Sequence, residues 1–322
     1  MQRLGVWGSC ALILAAMPWI VAATFPGQQR YILHILVFTG LFGALALSYD
    51  LVVGHVGSLS LAHPAFFGIG AYTAALLATR AAWPFVADSA AAIVLAGIVA
   101  LLIGVPMFRL TEHAFAIGTL GFAMVAHIVA TNWVDLTRGP LCVTGIPRPQ
   151  IGVGALTLKL TSVTHYYWLA LIILVATAAL YYGLTTFRLG RAFHAVRDNE
   201  TLAASAGIDP RCYRMLAFVI GGAVAGGIGA VYAHYITVLC PEEMTVALTI
   251  NLLVIVFIGG VGRLAGVVIG AVLFTVLPEV LRITPTWRLV IYGALLLAIV
   301  IKWPDGLESM FRRTAGPRRG AA

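Results

Sequence analysis

The sequence predicts an all-α, polytopic membrane protein with about ten transmembrane helices, some of them discontinuous. Hydrophobic residues fill 61% of the 322 positions and charged residues only 10%, against roughly 45 to 50% apolar residues in soluble domains. Mean hydropathy is +0.98, and apolar runs of the ~20 residues needed to cross ~30 Å of hydrocarbon recur along the whole chain. Charged residues fall between these runs, and eight of the thirty-two Asp, Glu, Lys and Arg lie between Phe187 and Arg214. No stretch remains for a separate soluble domain, so residues 1–322 read as one transmembrane domain.

Taken in order, the spans are Leu4 to Thr24, Tyr31 to Val53, Leu61 to Thr79, Ser89 to Phe108, Ala114 to Trp133, Tyr166 to Phe187 and Arg214 to Thr237. The apolar stretch from Ala247 to Leu281 is too long for one helix. Gly259-Gly260-Val261-Gly262-Arg263 interrupts it, which gives two spans, and Trp287 to Trp303 is the last. The first run has two readings, a retained span or a signal peptide ending near Val21-Ala22-Ala23. Its apolar length exceeds the roughly 7 to 15 residues of a signal core, which favours retention.

Loop charge sets the expected orientation. With both termini cytoplasmic, thirteen of the twenty Lys and Arg fall inside, among them Arg109, Arg191, Arg197, Arg263 and Lys302. The net charge of +8 is spread over these loops rather than gathered on one face, so it reads as a topology signal and not as nucleic-acid binding. The basic tail from Phe311 reads either as a segment against anionic lipid headgroups or as disordered, and is given no specific role. Cys10, Cys142, Cys212 and Cys240 show no paired spacing, so neither a metal site nor a disulfide is inferred.

Three glycine-rich interruptions stand out. Gly54 to Pro64 includes Gly57, Ser58, Ser60 and His63 and leads into Phe67, Gly68, Gly70 and Tyr72. Broken backbone at membrane depth is tolerated inside protein or beside a water-filled cavity, so a translocation pathway is one reading. A tight turn before a helix packed closely through its glycines is the other. The Gly259 to Gly266 break, preceded by Asn251, shares the pattern Gly-x-Val-Gly-x-Leu with the first, a hint of the paired discontinuous helices that transporters use; both breaks fall on the same side, so the echo is not taken as a repeat register. Gly259, Gly260, Gly262 and Arg263 are the pathway candidates there. The third lies in an external loop at about 134–165, whose prolines and glycines favour fixed turns over the outer mouth and contact with an external partner.

The polar segment at about 188–213 is expected to be a surface helix. Leu189, Phe193, Val196, Ala203 and Ala206 form an incomplete apolar stripe. Gly207 suits a left-handed helix end, and Asp209-Pro210 suits the cap and first residue of the next helix. A helix from Arg191 to Gly207, joined at both ends to spans, transmits a push. Its mixed Asp198-Asn199-Glu200 run fits a protein surface better than anionic lipid.

These residues resemble a known family, the permease subunits of ABC importers for branched-chain amino acids, of the LivM-like type. The resemblance runs from about Tyr49 to Phe311. It rests on Ser58 to Tyr72, Thr144-Gly145-Ile146-Pro147, Gly190-Arg191-Ala192 through Arg197, Glu200, Ala203 and Gly207-Ile208, Pro241-Glu242, Gly259 to Gly262, Leu277-Pro278-Glu279 and Ile291-Tyr292-Gly293. The chain departs from the pattern at Pro64, at Leu141-Cys142 in place of a polar residue and glycine, and at Arg263 in place of Ser or Thr. Arg263 either offers a pathway charge to an anionic substrate group or adds one more inside-positive charge.

The resemblance implies a subunit of the bacterial inner membrane with no catalytic residues, cofactor or metal. It works with a second, related permease subunit, two cytoplasmic ATPases and a periplasmic substrate-binding protein. Arg191, Arg197, Asp198, Asn199, Glu200, Ala203 and Gly207 would meet an ATPase, and Thr144 to Pro147 the binding protein. No phosphate-binding loop Gly-x-x-x-x-Gly-Lys-Ser/Thr occurs in the chain, consistent with ATP hydrolysis by a partner. Two other function classes compete. An ion- or proton-driven secondary transporter needs ionisable groups within the spans, for which His34, Asp50, His127 and Asn251 are modest candidates. An intramembrane enzyme finds no support, because His55 and His63 lack an acidic neighbour within a turn. An importer of a different small substrate, such as urea, an amide or a carboxylate, also remains open.

Overall fold

The computed structural model describes residues 16–24, 27–151, 158–160, 162–280 and the isolated positions 293, 297, 301 and 302. Residues 16–24 are helical. The rest of the Leu4 to Thr24 run, the Trp287 to Trp303 span, Ile291-Tyr292 and the basic tail lie outside the described residues, apart from the isolated positions.

The described chain is mostly helical. Helix α1 (Gln29–Asp50) runs into a five-residue π-helical segment, Leu51–His55. After a loop come α2 (His63–Arg80), α3 (Phe85–Met107) and α4 (Glu112–Asn132). A loop region holding the one-turn helix Val134–Thr137 leads to α5 (Val163–Thr186), then α6 (Arg188–Asp198), α7 (Glu200–Ser205) and α8 (Pro210–Ile236). Helices α9 (Val246–Gly259) and α10 (Leu264–Val280) follow. Five stretches are long and apolar enough to cross a membrane: Gln29–His55, Phe85–Met107, Glu112–Asn132, Val163–Thr186 and Pro210–Ile236. Helices α9 and α10 are shorter and also apolar. This is an all-α membrane protein.

Helix α8 is the centre of the bundle, packed most heavily on α2 and α3, while α1 packs on α5 and α10. The α2–α8 contact is made by backbone against backbone. A Cβ on Gly70 would lie 2.1 Å from the Gly226 carbonyl oxygen, and one on Gly229 would lie 2.0 Å from the Phe67 carbonyl oxygen. Small residues permit this approach, which supplies dispersion contact where lipid offers no hydrophobic drive. Helices α3, α4 and α5 bury little of their apolar surface within the chain. Their outer faces carry exposed Leu102, Ile117, Val125 and Ile172.

The elements give the bundle two distinct ends. At one lies the polar segment with α6 and α7. At the other, Cys142 and Cys240 form a disulfide, although the 98 residues between them leave no spacing from which the pairing follows.

Candidate functional site

The polar segment is two helices and not the single helix expected from its apolar stripe. Asn199 interrupts it with extended backbone, φ −159° and ψ 107°, and its side chain accepts from the Leu202 amide at 3.0 Å. An Asn side chain competes with the helical backbone in this way, so the residue ends α6 and caps α7. Phe193, Val196 and Ala203 are buried, while Arg191, Asp198, Glu200 and Leu202 face outward. Gly207 stands at φ +82°, the left-handed end expected of it. Asp209 accepts from the Arg211 amide at 3.0 Å, with Pro210 as the first residue of α8. Glu200 pairs with Arg214 at 3.0 Å, which ties α7 to the first turn of α8.

Arg197 carries the segment's deepest contact. Its Nη1 donates to the Gly54 carbonyl at the end of the π-helical segment. Its stem covers Gly57, where an added Cβ would lie 3.2 Å from Arg197 Cγ. The second glycine break meets the first at the same place. The Gly262 amide donates to Asp50 Oδ1 at 2.9 Å, and the Tyr181 hydroxyl of α5 donates to Asp50 Oδ2. The same Tyr181 oxygen lies 3.2 Å from His55 Nδ1, and the His55 ring is 5.1 Å from that of His194 on α6. Asp50 is fully buried, so these donors replace the water that an isolated carboxylate would demand. A Cβ added at Gly262 would lie 3.4 Å from Arg197 Nη1, so Arg197 stands beside both breaks. Gly57 and Gly262 take φ of +78° and +75° there, conformations that favour glycine.

The other pathway candidates are interior. Ser60, His63 and Phe67 are at most 1% exposed, and Ser58 is at 5%. The Leu61 backbone is held by Thr119 of α4 at 3.0 Å and by Thr249 of α9 at 3.3 Å, while the Tyr49 hydroxyl donates to the Ser60 carbonyl at 2.9 Å. His63 Nε2 lies 3.2 Å from Ser48 Oγ. The loop from Gly57 to Ala62 is therefore pinned by three helices. Asn251 is half-buried in α9, Gly259 and Gly260 are buried, and the half-buried Arg263 directly precedes α10 at the polar-segment end.

At the opposite end, the Thr144 to Pro147 turn is built against the end of α8. Strand β1 (Val143–Thr144) pairs antiparallel with β4 (Val238–Leu239), and the Ile146 amide donates to the Thr237 carbonyl at 3.4 Å. A second short pair, β2 (Gln150–Ile151) with β3 (Leu158–Lys159), follows in the same loop. His234 Nδ1 donates to the Pro147 carbonyl at 2.8 Å, and Nε2 meets the buried Asp88 carboxylate at 3.0 Å. Ile146 is buried beneath the turn, which leaves Thr144, Gly145 and Pro147 exposed. Cys142 has φ +56°, a value that favours the glycine of the family pattern, and its disulfide closes the turn onto Cys240.

Sequence reasoning did not single out the Arg197–Gly54 contact, the Asp50–Gly262 contact, the Cys142–Cys240 pair or the His234–Asp88 pair. Asp50 was visible only as a modest ionisable candidate within a span. The remaining partners lie 98 to 212 residues apart, and no local pattern signals them.

Residues 31–300 match the family described as branched-chain amino acid transport system / permease component. The chain is 30% identical over 333 residues to the high-affinity branched-chain amino acid transport system permease protein LivM of Escherichia coli (strain K12), covering 97% of this chain and 77% of that protein. It is 24% identical over 281 residues to the permease protein LivH of the Salmonella typhimurium system, covering 83% of this chain and 90% of the relative. With the autoinducer 2 import system permease protein LsrC of Yersinia enterocolitica it shares 28% identity over 207 residues, 61% of this chain and 54% of that one. No solved structure matches. By both the family match and the relatives, the chain belongs to the branched-chain amino acid transport system permease family and is LivM-like.

Proposed function

We propose that this chain is a membrane-spanning permease subunit of an ATP-driven importer for branched-chain or related hydrophobic amino acids. It forms part of the pathway and couples it to cytoplasmic ATPases. A LivH-like second permease, two ATPase subunits and a periplasmic substrate-binding protein complete the complex. Ten spans cross the inner membrane, with both termini and the polar segment inside. A disulfide at the opposite end suits this orientation, because disulfides persist on the oxidising side of a bacterial membrane.

The observation that carries the coupling reading is the reach of Arg197 from α6 to the Gly54 carbonyl, beside the Asp50–Gly262 contact. A load on the outer faces of α6 and α7 moves the points where two helices break. In this reading Arg191, Asp198, Asn199, Glu200 and exposed Leu202 meet an ATPase, with Ala203 and Gly207 shaping the surface. Thr144, Gly145 and Pro147 meet the binding protein. Gly57 to Tyr72 and Asn251 to Arg263 supply the moving walls.

The test is uptake of radiolabelled leucine into proteoliposomes holding this chain, its neighbouring permease and the ATPases, with binding protein outside and ATP inside. Uptake is expected only with ATP and the binding protein. Uptake by this chain alone, abolished by an uncoupler, would replace the importer by a secondary transporter. The Yersinia relative named for autoinducer 2 import makes a non-amino-acid substrate the second reading, distinguished by which solute the binding protein delivers.

A further inference from the structure

After β4 the chain turns back into the bundle as a one-turn 3-10 helix, Pro241–Met244, which carries Glu242 and Glu243. Three helices hold this turn. Met244 packs on α2 at Gly68, where an added Cβ would lie 2.1 Å from Met244 Cγ. His127 of α4 donates from Nδ1 to the Pro241 carbonyl at 3.0 Å; the carbonyl only accepts, so Nδ1 carries the proton. Tyr232 of α8 stands beside Glu243. The disulfide lies against the turn, its sulfurs within 4.8 Å of a Glu242 carboxylate oxygen.

Beside the turn is Tyr72 of α2, packed in one cluster with Met244 and Leu239; it is 6% exposed, and among the described residues its hydroxyl has no hydrogen-bond partner. It lies within electrostatic range of both carboxylates. Tyr72 stands nine residues past His63 in the 18-residue α2, about halfway along it. Among the described residues, no Lys, Arg or His forms an ion pair with Glu242 or Glu243. A half-buried acid, Glu243, beside an orphaned phenol is costly unless a partner meets them, and Glu242 adds a second carboxylate at the exposed rim. A primary ammonium group presents three hydrogens, enough for an oxygen of each carboxylate and for the Tyr72 oxygen. A calcium ion is served poorly, because it takes six to eight oxygen ligands.

We infer that Tyr72, Glu242 and Glu243 form a subsite for a primary ammonium group. Resting on the importer reading, that group is the α-ammonium of the amino acid in transit. The subsite then lies on the path inward from the binding-protein turn, to which Cys240 is covalently tied through Cys142.

The experiment uses the full-length chain in lipid nanodiscs and two probes. These are 3-methylbutylamine, which is leucine without its carboxylate, and 4-methylpentanoate, which is leucine without its ammonium. Ligand-observed saturation-transfer NMR is expected to show binding of the amine and none of the acid. Glu243→Gln and Tyr72→Phe are each expected to weaken the amine at least tenfold. Glu242→Gln, at the exposed rim, is the second acid variant should Glu243→Gln fail to fold. Equal binding of the two probes, or amine binding indifferent to these substitutions, would overturn the inference. Displacement of the amine by micromolar calcium chloride would also overturn it, in favour of an inorganic cation site. If the amine binds through these residues but leucine uptake does not follow ATP, the importer reading fails and the ammonium site stands. If uptake follows ATP but the amine does not bind, only the site falls.

Discussion

Replacing Arg197 with methionine removes the guanidinium from the Gly54 carbonyl while keeping most of the stem that covers Gly57. A hydrogen bond made by a charged group contributes about 1.5 to 3 kcal/mol. Arg197 keeps much of its surface exposed, so water replaces part of that interaction and the loss falls nearer ~1.5 kcal/mol. If the contact transmits motion from α6 to the glycine breaks, that loss reduces the coupling constant by about tenfold. The assay measures leucine uptake and ATP hydrolysis in the same proteoliposomes. For Arg197→Met, uptake is expected to fall about five- to tenfold while hydrolysis stays within about twofold, so more ATP is consumed per leucine. Arg197→Lys keeps one donor and is expected to recover part of the coupling. An unchanged ratio of ATP to leucine would refute the reasoning. So would a proportional fall of both activities with loss of the ATPases on purification, which marks Arg197 as an assembly contact.

Asp50→Asn keeps an acceptor for the Gly262 amide, and the Tyr181 hydroxyl can rotate toward His55. It is expected to fold and transport at reduced rate, whereas Asp50→Leu strands both donors at about 1 to 3 kcal/mol each and should lower the melting temperature sharply; equal melting of the two variants would count against the contact. Gly229→Ala places a Cβ 2.0 Å from the Phe67 carbonyl oxygen. Its overpacking cost of about 1 to 3 kcal/mol or more should appear in fluorescence-detected melting of detergent-solubilised protein. Reduction of Cys142–Cys240 releases a closure across 98 residues, for which chain entropy sets a ceiling of about 4.7 kcal/mol in a loop of ~100 residues. Membrane anchoring already confines that loop, so a modest drop in melting temperature is expected, together with weaker binding-protein-stimulated hydrolysis from a loosened Thr144 to Pro147 turn.

What could be read from the chain was what local chemistry decides. Gly207, Asp209 and Pro210 mark a helix end and a helix start within four positions, because left-handed backbone, side-chain capping and a missing amide each act over a few bonds. The Gly259 to Gly262 interruption was visible for the same reason, as were the long apolar runs. Asn199 defeated the reading of the polar segment because two local preferences compete there. The apolar stripe through Phe193, Val196 and Ala203 argues for one helix, while the Asn side chain satisfies the Leu202 amide and argues for two. The stripe survives the break because α6 and α7 both bury their apolar positions against the bundle.

The long-range pairs were invisible for a different reason. A buried carboxylate needs donors, but nothing in the residues around Asp50 tells which backbone amide will come. That choice follows from how closely the two breaks approach, and glycine permits the approach by omission. A Cβ on Gly54 would lie 2.1 Å from Asp50 Oδ1 and 2.7 Å from the Gly262 amide nitrogen. Gly54 therefore leaves room for the Asp50–Gly262 bond, and its carbonyl receives Arg197. One residue without a side chain joins the first break, the second break and the polar segment. Gly54→Ala tests that convergence directly. The added methyl must push Asp50 off the Gly262 amide, so the two breaks should separate while α6 stays folded on Phe193 and Val196. Distance measurements between spin labels at Val261 and Leu59 are expected to lengthen in Gly54→Ala and to stay fixed in Gly207→Ala, which strains the left-handed backbone at φ +82° but whose Cβ meets nothing within 4 Å. Lengthening in both variants would show that the breaks answer to general loosening and not to the contact at Gly54.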